Sequence, residues 1–375
     1  MTSESRDSNV TRSSSRRVLL KGAALGTVVP AAAALLGPVL ATPAAAATPV
    51  TAAGAATSSA LPDFAPVPAA SLGPAVNSEG YFVGCISGNL YWVTDSYYQA
   101  MFLTTREGVV LVDAPPTLGH NLMRAIQDVT RPLGRPSRVT HMVYSHNHAD
   151  HIGAAGLFGD RVERIAHVQT REILRRAADP DRPLPTVTFK NNLVVEVGGE
   201  RLELAYHGPN HSPDNIFIHA PAYATLMVVD VVFPGWTPFK NLAESQDIPG
   251  WIAAHETARS YPWTTLVGGH LGRLGTRTDL DVQRGYVSDL QDSVRTTLST
   301  LDPTPFFEKY GATGNGWAIF KTYLDAATQQ AAAPVISAYL GRLAAADVFT
   351  SENAAAMINS MRIDYDVLGP FGNHP

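Results

Sequence analysis

Three histidines and one aspartate lie within six positions of this 375-residue chain, directly after an apolar run at residues 139–144. The run is typical of a buried β-strand, and residues 145–153 then read Ser-His-Asn-His-Ala-Asp-His-Ile-Gly. A strand that ends in a loop can direct residues two apart towards one ion, and imidazole and carboxylate groups are common zinc ligands. The pattern predicts one ion held by His146 and His148, and a second ion faced by Asp150 and His151.

A site for two ions needs more than four protein ligands, so further His or Asp residues are expected at downstream strand ends. His211 lies in a Gly-Pro-Asn-His-Ser-Pro-Asp-Asn loop, Asp230 ends the apolar run 226–229, and His270 ends the run 266–269. We expect His211 to complete the first ion's ligands, His270 those of the second, and Asp230 to bridge both. The predicted cofactors are two divalent ions, with Zn²⁺ first and Mn²⁺ or Fe²⁺ as open alternatives. The predicted metal ligands are His146, His148, Asp150, His151, His211, Asp230 and His270.

The first 75 residues carry almost no periodic hydrophobic pattern and are rich in Ala, Pro, Thr and Ser. Arg16 and Arg17 precede an Ala-rich apolar run at 22–41, an arrangement that resembles a twin-arginine export signal. Gly and Pro residues interrupt the run and small residues follow it, which favours cleavage over a membrane anchor. We therefore predict a twin-arginine-type signal peptide at 1–47 and an Ala/Pro-rich linker at 48–75. The protein is expected to be secreted or to reach the periplasm or cell envelope, without stable membrane insertion after cleavage.

Charge and cysteine content narrow the functional classes. Cleavage after residue 47 would remove five basic and two acidic residues, leaving 23 basic against 31 acidic residues and a net charge of −8. Nucleic-acid-binding proteins normally carry a basic stripe, so we expect a small-molecule substrate rather than nucleic acid, while the oligomeric state stays open. The single cysteine, Cys85, excludes intrachain disulfides and cysteine-rich zinc modules. Any metal must therefore be held by His and Asp.

Short strand-like runs alternate with helical segments between residues 76 and 278, and this order favours two packed sheets with helices outside. Beyond residue 279 the pattern predicts helices alone. The predicted helices of this region are 282–298, 316–330, 334–346 and 351–362.

Taken together, the histidine loop and the later ligands resemble the metallo-β-lactamase-fold hydrolase superfamily over about residues 80–275. The resemblance implies an α/β (α+β) fold, an αββα sandwich with the metals in a cleft at one edge of the two sheets. The corresponding domain is placed at 76–278, followed by a helical C-terminal region at 279–375. Asp113, which ends an early apolar strand, matches the superfamily's first aspartate and is expected to support the metal loop without binding an ion.

The resemblance also implies an enzyme, a metal-dependent hydrolase that uses a hydroxide bridging the two ions to cleave an ester, lactone or related acyl bond, and the twin-arginine-type signal predicts that it is exported. Asp150 would then be catalytic as well, by orienting the hydroxide or carrying its proton. Two alternative functions stay open, a zinc β-lactamase-like amide hydrolase and an iron-dependent oxidoreductase on the same fold. A metal-binding protein without catalytic activity is a third.

Phe233 distinguishes the chain from the relatives that the motif resembles. Three residues after the bridging position, similar zinc β-lactamases carry a lysine that holds the substrate carboxylate, and acyl-homoserine lactonases carry a tyrosine. Phenylalanine offers neither a charge nor a hydrogen bond. We therefore expect an uncharged or weakly charged substrate. Aromatic residues near the ligands are the predicted substrate contacts, namely Trp92, Tyr97, Phe233, Trp236 and Phe239, and Tyr98 beside Tyr97 is a further candidate.

Overall fold

The first of two β-sheets has seven strands in sequential order in the computed structural model, which describes residues 61–372. The predicted signal peptide and residues 48–60 of the predicted linker lie outside the described residues. Strands one to four pair antiparallel and strands four to seven pair parallel. The strands are β1 (Phe82–Ser87), β2 (Leu90–Thr94), β3 (Gln99–Thr104), β4 (Val109–Val112), β5 (Val139–Val143), β6 (Glu163–His167) and β7 (Val187–Phe189).

The second sheet has five strands in the order β12-β11-β10-β9-β8. β11 and β12 pair parallel, and the other neighbours pair antiparallel. In each sheet, metal-ligand candidates follow directly after parallel strands. The strands are β8 (Asn192–Val197), β9 (Glu200–Ala205), β10 (Phe217–Ala220), β11 (Thr225–Met227) and β12 (Thr265–Val267).

Helices cover the outer face of each sheet. Three pack on the first sheet: α1 (Asn121–Thr130), α2 (Ala149–Ile152) and α3 (Val168–Ala177). After the single turn α4 (Lys240–Glu244), the remaining helices are α5 (Ile248–Ser260), α6 (Arg277–Thr300), α7 (Thr304–Tyr310), α8 (Gly316–Tyr339) and α9 (Ala346–Ile363). Short 3₁₀ helices span Ala69–Ser71, Ala155–Phe158, Pro221–Tyr223, Gly311–Thr313 and Gly369–Phe371.

Three hydrophobic layers hold this arrangement together. One lies between the first sheet and α1–α3, and the middle layer lies between the two sheets, where Val112 and Val143 meet Met227 and Val267. The third joins the second sheet to α5, α6, α8 and α9, with Trp251 and Tyr286 fully buried in it. Burial on both inner sheet faces is the main driving force for such a sandwich. The predicted αββα architecture is confirmed.

The chain beyond residue 276 is helical, as predicted, and packs on the second sheet. Thr276 and Asp279 form a capping box at the start of α6. The residues from Leu61 onward form one compact unit, so the domain boundary placed at 278/279 stays a prediction. Within the described residues, no helix has the combined length and apolar character of a membrane span.

One predicted helix break is wrong. The sequence suggested separate helices on either side of Pro334, but α8 continues through it to Tyr339. A proline removes one backbone donor from a helix interior. Its buried neighbours Ala331, Ala332 and Val335 pack into the outer hydrophobic layer, which compensates for that loss.

Candidate metal centre

The first four ligand candidates lie directly after β5. This strand is paired on both sides by parallel neighbours, which fixes the point where its carboxyl end leaves the sheet. His146 and His148 follow in the loop, and α2 begins at Ala149, so that Asp150 and His151 occupy its single turn. The imidazoles of His146 and His151 are fully buried. The spacing that marks the sequence therefore places all four side chains at one sheet edge.

The other three candidates come from the second sheet. His211 lies between β9 and β10, Asp230 follows β11, and His270 follows β12. Asp230 adopts a left-handed backbone conformation with φ 61°. Aspartate tolerates this conformation better than most residues, and it turns the chain sharply at the strand end.

The Asp230 carboxylate is the centre of the site. Its Oδ2 atom lies 3.1 Å from Nε2 of both His151 and His211 and 3.5 Å from Nε2 of His146. Its Oδ1 atom lies 2.8 Å from Nε2 of His270. One buried carboxylate thus contacts imidazoles from both sheets. This is the position expected of a ligand shared by two ions.

The seven candidates fall into two groups, and within each group all the ligand atoms lie within 4.8 Å of one another. One contains His146, His148, His211 and Asp230, and the other contains Asp150, His151 and His270. Facing nitrogens are 3.0 Å apart both between His148 and His211 and between His151 and His270.

These distances suit metal binding. Ligands about 2.0–2.1 Å from a tetrahedral zinc ion lie roughly 3.3 Å apart. The Nε2 atom of His146 is also buried with no hydrogen-bond partner among the described residues. Buried polar atoms are normally satisfied, so an atom of this kind is suited to a ligand role. The donor set and its spacing fit divalent metal ions.

Asp113 lies behind this cluster, at the end of β4. Its backbone is left-handed with φ 62°, and its buried Oδ1 atom accepts a hydrogen bond from the Ser145 amide at 2.8 Å. The Ser145 hydroxyl in turn lies 2.9 Å from Nδ1 of His146. Asp113 is therefore placed to orient the metal loop, as predicted for it, and does not belong to either ligand group.

A buried network of polar side chains holds the His211 loop. Asn215 donates to Asn210 Oδ1 at 2.9 Å and to the Val229 carbonyl at 2.8 Å. The Asp214 carboxylate accepts from Asn147 in the metal loop at 2.7 Å. The network ties His211 to Asp230 and to β5. This supporting role was not predicted from the sequence, although the Asp and Asn residues of the network belong to the loop motif that contains His211.

Charge interactions in the site favour a cation. Burial lowers the pKa of the His146 imidazole well below its usual value and that of His211 to about 4. Burial also lowers the pKa of His151, but the Asp230, Asp150 and Asp113 carboxylates outweigh it and raise this pKa to about 9.

The carboxylates respond to the same environment. Burial raises the pKa of Asp230, yet the imidazoles of His151, His211 and His270 hold it well below the usual range. Burial raises the pKa of Asp113 to about 6. His146 and His211 are thus neutral beside an ionised Asp230, the protonation state that metal binding requires, whereas His151 must release a proton when an ion binds.

A cleft of about 380 Å³ opens above the cluster. Three of the five predicted substrate contacts line it, Tyr97, Phe233 and Phe239, and the Phe233 ring lies 5.9 Å from that of His270. The complete lining consists of Tyr97, Tyr98, His148, Asp150, His211, Asp230, Phe233, Phe239, Ala243, Glu244, His270 and Leu271.

The structure does not bring Trp92 or Trp236 to the cleft. Trp92 lies in β2 two residues after Leu90, so the strand's alternation places both on the face towards the second sheet. Trp92 is 5% exposed, and its ring packs 5.5 Å from that of Phe82. The Trp236 indole donates instead to the Ser71 carbonyl at 3.1 Å. Both predictions of substrate contact are therefore corrected.

Tyr98, the further candidate beside Tyr97, also lines the cleft. Its ring lies 4.6 Å from the His270 ring and 5.6 Å from the His151 ring. Partial burial raises the pKa of its hydroxyl to about 12, helped by the Asp150 carboxylate. The sequence signal was its position beside Tyr97, immediately before β3, but sequence alone could not tell which ring faces inward.

Helices α5 and α6 support the segment that follows Asp230. The Trp251 indole donates to the Asp230 carbonyl at 2.9 Å. Gln283 in α6 is buried, accepts from the Phe233 amide at 2.8 Å and donates to the Val231 carbonyl. The C-terminal helices thus help to build one wall of the cleft.

The family comparison agrees with this fold and site. The family model described as the metallo-beta-lactamase superfamily matches residues 93–270, from β2 to the last ligand candidate. Residues 93–270 of this chain belong to the metallo-β-lactamase-fold superfamily.

Individual relatives match only in part. The 2,4-dinitroanisole O-demethylase subunit alpha of Nocardioides sp. (strain JS1661) is 28% identical over 217 residues, covering 56% of this chain and 62% of that protein. A metallo-beta-lactamase type 2 of Bacillus sp. (strain 170) is 30% identical over 126 residues, covering 34% and 47%. The chain thus spans less than two thirds of the length of either relative. A solved metallo-beta-lactamase from Pontibacter korlensis aligns at a TM-score of 0.47 and 23% identity, covering 55% of this chain and 97% of that one.

Proposed function

We infer that the protein is a hydrolase that uses two divalent metal ions to cleave an ester, lactone or related acyl bond of a small molecule. One observation carries this proposal. The buried Asp230 carboxylate lies between imidazoles of both ligand groups at the floor of a cleft that can admit a small molecule. Zn²⁺ suits this set of His and Asp ligands.

When bound, two such ions lower the pKa of a water molecule and polarise a substrate carbonyl. The chain's own residues divide the remaining work. Asp150 is 43% exposed, lines the cleft and faces His151 and His270, so its carboxylate is placed to accept and pass on a proton. The Tyr98 hydroxyl stays neutral at ordinary pH and is available to donate a hydrogen bond within the cleft.

The cleft lining supports an uncharged substrate. Apart from the ligand candidates, it consists of aromatic and aliphatic side chains and one acid, Glu244. No Lys or Arg belongs to the lining formed by the described residues. A carboxylate-bearing substrate would lack a cationic partner at Phe233 and would lie near Glu244. An ester or lactone without an acidic group fits better.

A second candidate function comes from one relative's name. The Nocardioides protein is a 2,4-dinitroanisole O-demethylase subunit, so a protein that shares 28% identity with over half of this chain acts on an activated aryl methyl ether. Other relatives are metallo-beta-lactamases, which keeps amide hydrolysis as an alternative. Iron-dependent oxidation on the same fold is the remaining alternative.

A substrate panel separates these candidates. The protein loaded with zinc, or with iron, is assayed against neutral lactones, aryl esters, thioesters, 2,4-dinitroanisole and a chromogenic cephalosporin. We expect the zinc-loaded protein to turn over lactones or aryl esters with the highest kcat/KM. Faster release of 2,4-dinitrophenol from the anisole, or faster cephalosporin opening, would contradict the acyl-ester proposal. Turnover that occurs with iron alone and consumes oxygen would contradict hydrolysis.

The charge at Glu244 provides a test of substrate preference. Replacing it with lysine changes the charge at the cleft by two units, and we expect kcat/KM for an anionic aryl ester to rise about tenfold relative to its neutral analogue. The gain should shrink as salt increases. Glu107→Lys is the matched control, since Glu107 is exposed in the β3–β4 turn and absent from the cleft lining. Equal ratios in the two variants would show that Glu244 does not influence substrate choice.

A further inference from the structure

The turn α4 has an unusual backbone. Residues 241–244 have φ values between 51° and 61°, so four successive non-glycine residues are left-handed. Asparagine tolerates this region, but Leu242 and Ala243 adopt it rarely because the β-carbon crowds the following carbonyl. Such a run persists only where surrounding contacts hold it.

Asn353 provides those contacts from the opposite side of the turn. It lies in α9 and is fully buried. Its side-chain carbonyl accepts a hydrogen bond from the Leu242 amide at 2.7 Å, and its side-chain NH₂ donates to the Pro238 carbonyl at 2.9 Å. The same NH₂ group lies 3.2 Å from the Tyr286 hydroxyl, which fixes the orientation of the amide. One side chain thus contacts the backbone both in the middle of the turn and just before it.

The inner side of the turn belongs to the candidate active site. Phe239, Ala243 and Glu244 all line the cleft. Directly after the turn, the Gln246 amide donates to the carbonyl of the ligand candidate His211 at 3.0 Å. The turn therefore lies between helix α9 and the metal-binding loops.

We propose that Asn353 is a positioning residue that holds the left-handed turn against the cleft, so that helix α9 sets the shape of the cleft wall formed by residues 239–244. This rests on the proposed function, since it takes the cleft to be the substrate site. Loss of the amide leaves the Leu242 N–H buried without an acceptor and removes the contact that stabilises the disfavoured backbone. The turn then relaxes, and residues 239–244 no longer present a fixed surface. The seven ligand candidates keep their own support, from Asp113 and the Asn215 network.

The experiment compares Asn353→Ala with Thr350→Val in the full-length zinc-loaded protein. Thr350 is an apt control because it lies one turn earlier in α9, is equally buried and accepts its hydrogen bond from Tyr286 rather than from the turn. Hydrogen exchange measured by mass spectrometry should show the peptide covering residues 238–246 exchanging about tenfold faster in Asn353→Ala. The control should match the wild type in this peptide, and zinc content should be equal in all three proteins.

Kinetics give a second measurement. With a neutral aryl ester, Asn353→Ala should raise KM about fivefold or more while kcat changes less than about twofold, since ground-state contacts are lost rather than the reacting groups. Asn353→Asp, which keeps the acceptor for Leu242 but loses the donor to Pro238, should lie between wild type and alanine, and it replaces the alanine variant if that protein does not fold.

Unchanged exchange in residues 238–246, or the same increase in Thr350→Val, would overturn the proposal. An equal loss of kcat without a rise in KM would do so as well. If the wild-type protein cleaves no acyl substrate, the proposed function fails while the exchange comparison still decides the role of Asn353.

Discussion

Replacing Asp230 by alanine is expected to abolish the binding of both metal ions and to lower kcat/KM by at least about 1,000-fold. Its carboxylate lies within 3.5 Å of imidazole nitrogens from four histidines of the two groups, so its loss removes the one carboxylate that faces both groups. Mutation of a residue that merely supports a metal ligand typically lowers metal affinity or activity about 10- to 100-fold, and loss of a shared ligand must lower it further. Metal content after desalting and kcat/KM on the best ester measure the effect.

The variant Asp160→Ala is the matched control, because it removes an exposed carboxylate outside both ligand groups. It should retain full metal content and activity. Circular dichroism must show that Asp230→Ala remains folded. A folded Asp230→Ala protein that keeps two ions per chain would contradict the assignment of Asp230 as the shared ligand.

The second large effect is expected at Asp150. Asparagine keeps the size of this side chain but removes its charge and its ability to accept a proton, so kcat should fall about 100- to 10,000-fold, the range typical of a lost general acid–base group. Its carboxylate lies 3.5 Å from His151 Nε2 and 3.8 Å from His270 Nε2, so binding of the second ion should also weaken. The first group, which lacks Asp150, should keep its ion.

Two measurements separate these contributions. Steady-state kinetics at saturating zinc report the proton-transfer role, and zinc titration reports the ligand role. Asp160→Asn controls for the removal of a carboxylate elsewhere on the surface. A kcat within twofold of the wild type at saturating zinc would show that Asp150 has no catalytic role and serves the metal alone.

The metal-ligand cluster was predictable because each candidate is encoded locally. His146 to His151 follow an unambiguous strand, and Asp230 and His270 each end a short apolar run, so the rule that strand ends meet at one sheet edge was enough to bring them together. Burial and distances then placed all seven side chains in two adjacent groups. The αββα sandwich followed from the same alternation of strands and helices.

Features that depend on contacts distant in sequence were not predictable. Which face of a hairpin a ring occupies depends on how two sheets pack, so Trp92 was wrongly placed at the cleft, and the sequence could not show that Tyr98 lies against His151 and His270. β1 is hard to recognise from the sequence because its half-exposed edge position weakens the hydrophobic pattern. The left-handed turn α4 is stable because of Asn353, more than a hundred residues away, and no local pattern indicates that pairing.

The number and kind of metal ions bound per chain decide whether the seven ligand candidates form a site for two divalent ions. The purified protein is dialysed against metal-free buffer, reloaded with an equimolar mixture of zinc, manganese and iron(II) under anaerobic conditions, desalted and analysed by mass spectrometry of its elements. We expect two divalent ions per chain, mainly zinc, with both lost in Asp230→Ala. A single iron per chain, or no bound metal in a folded protein, would contradict this expectation.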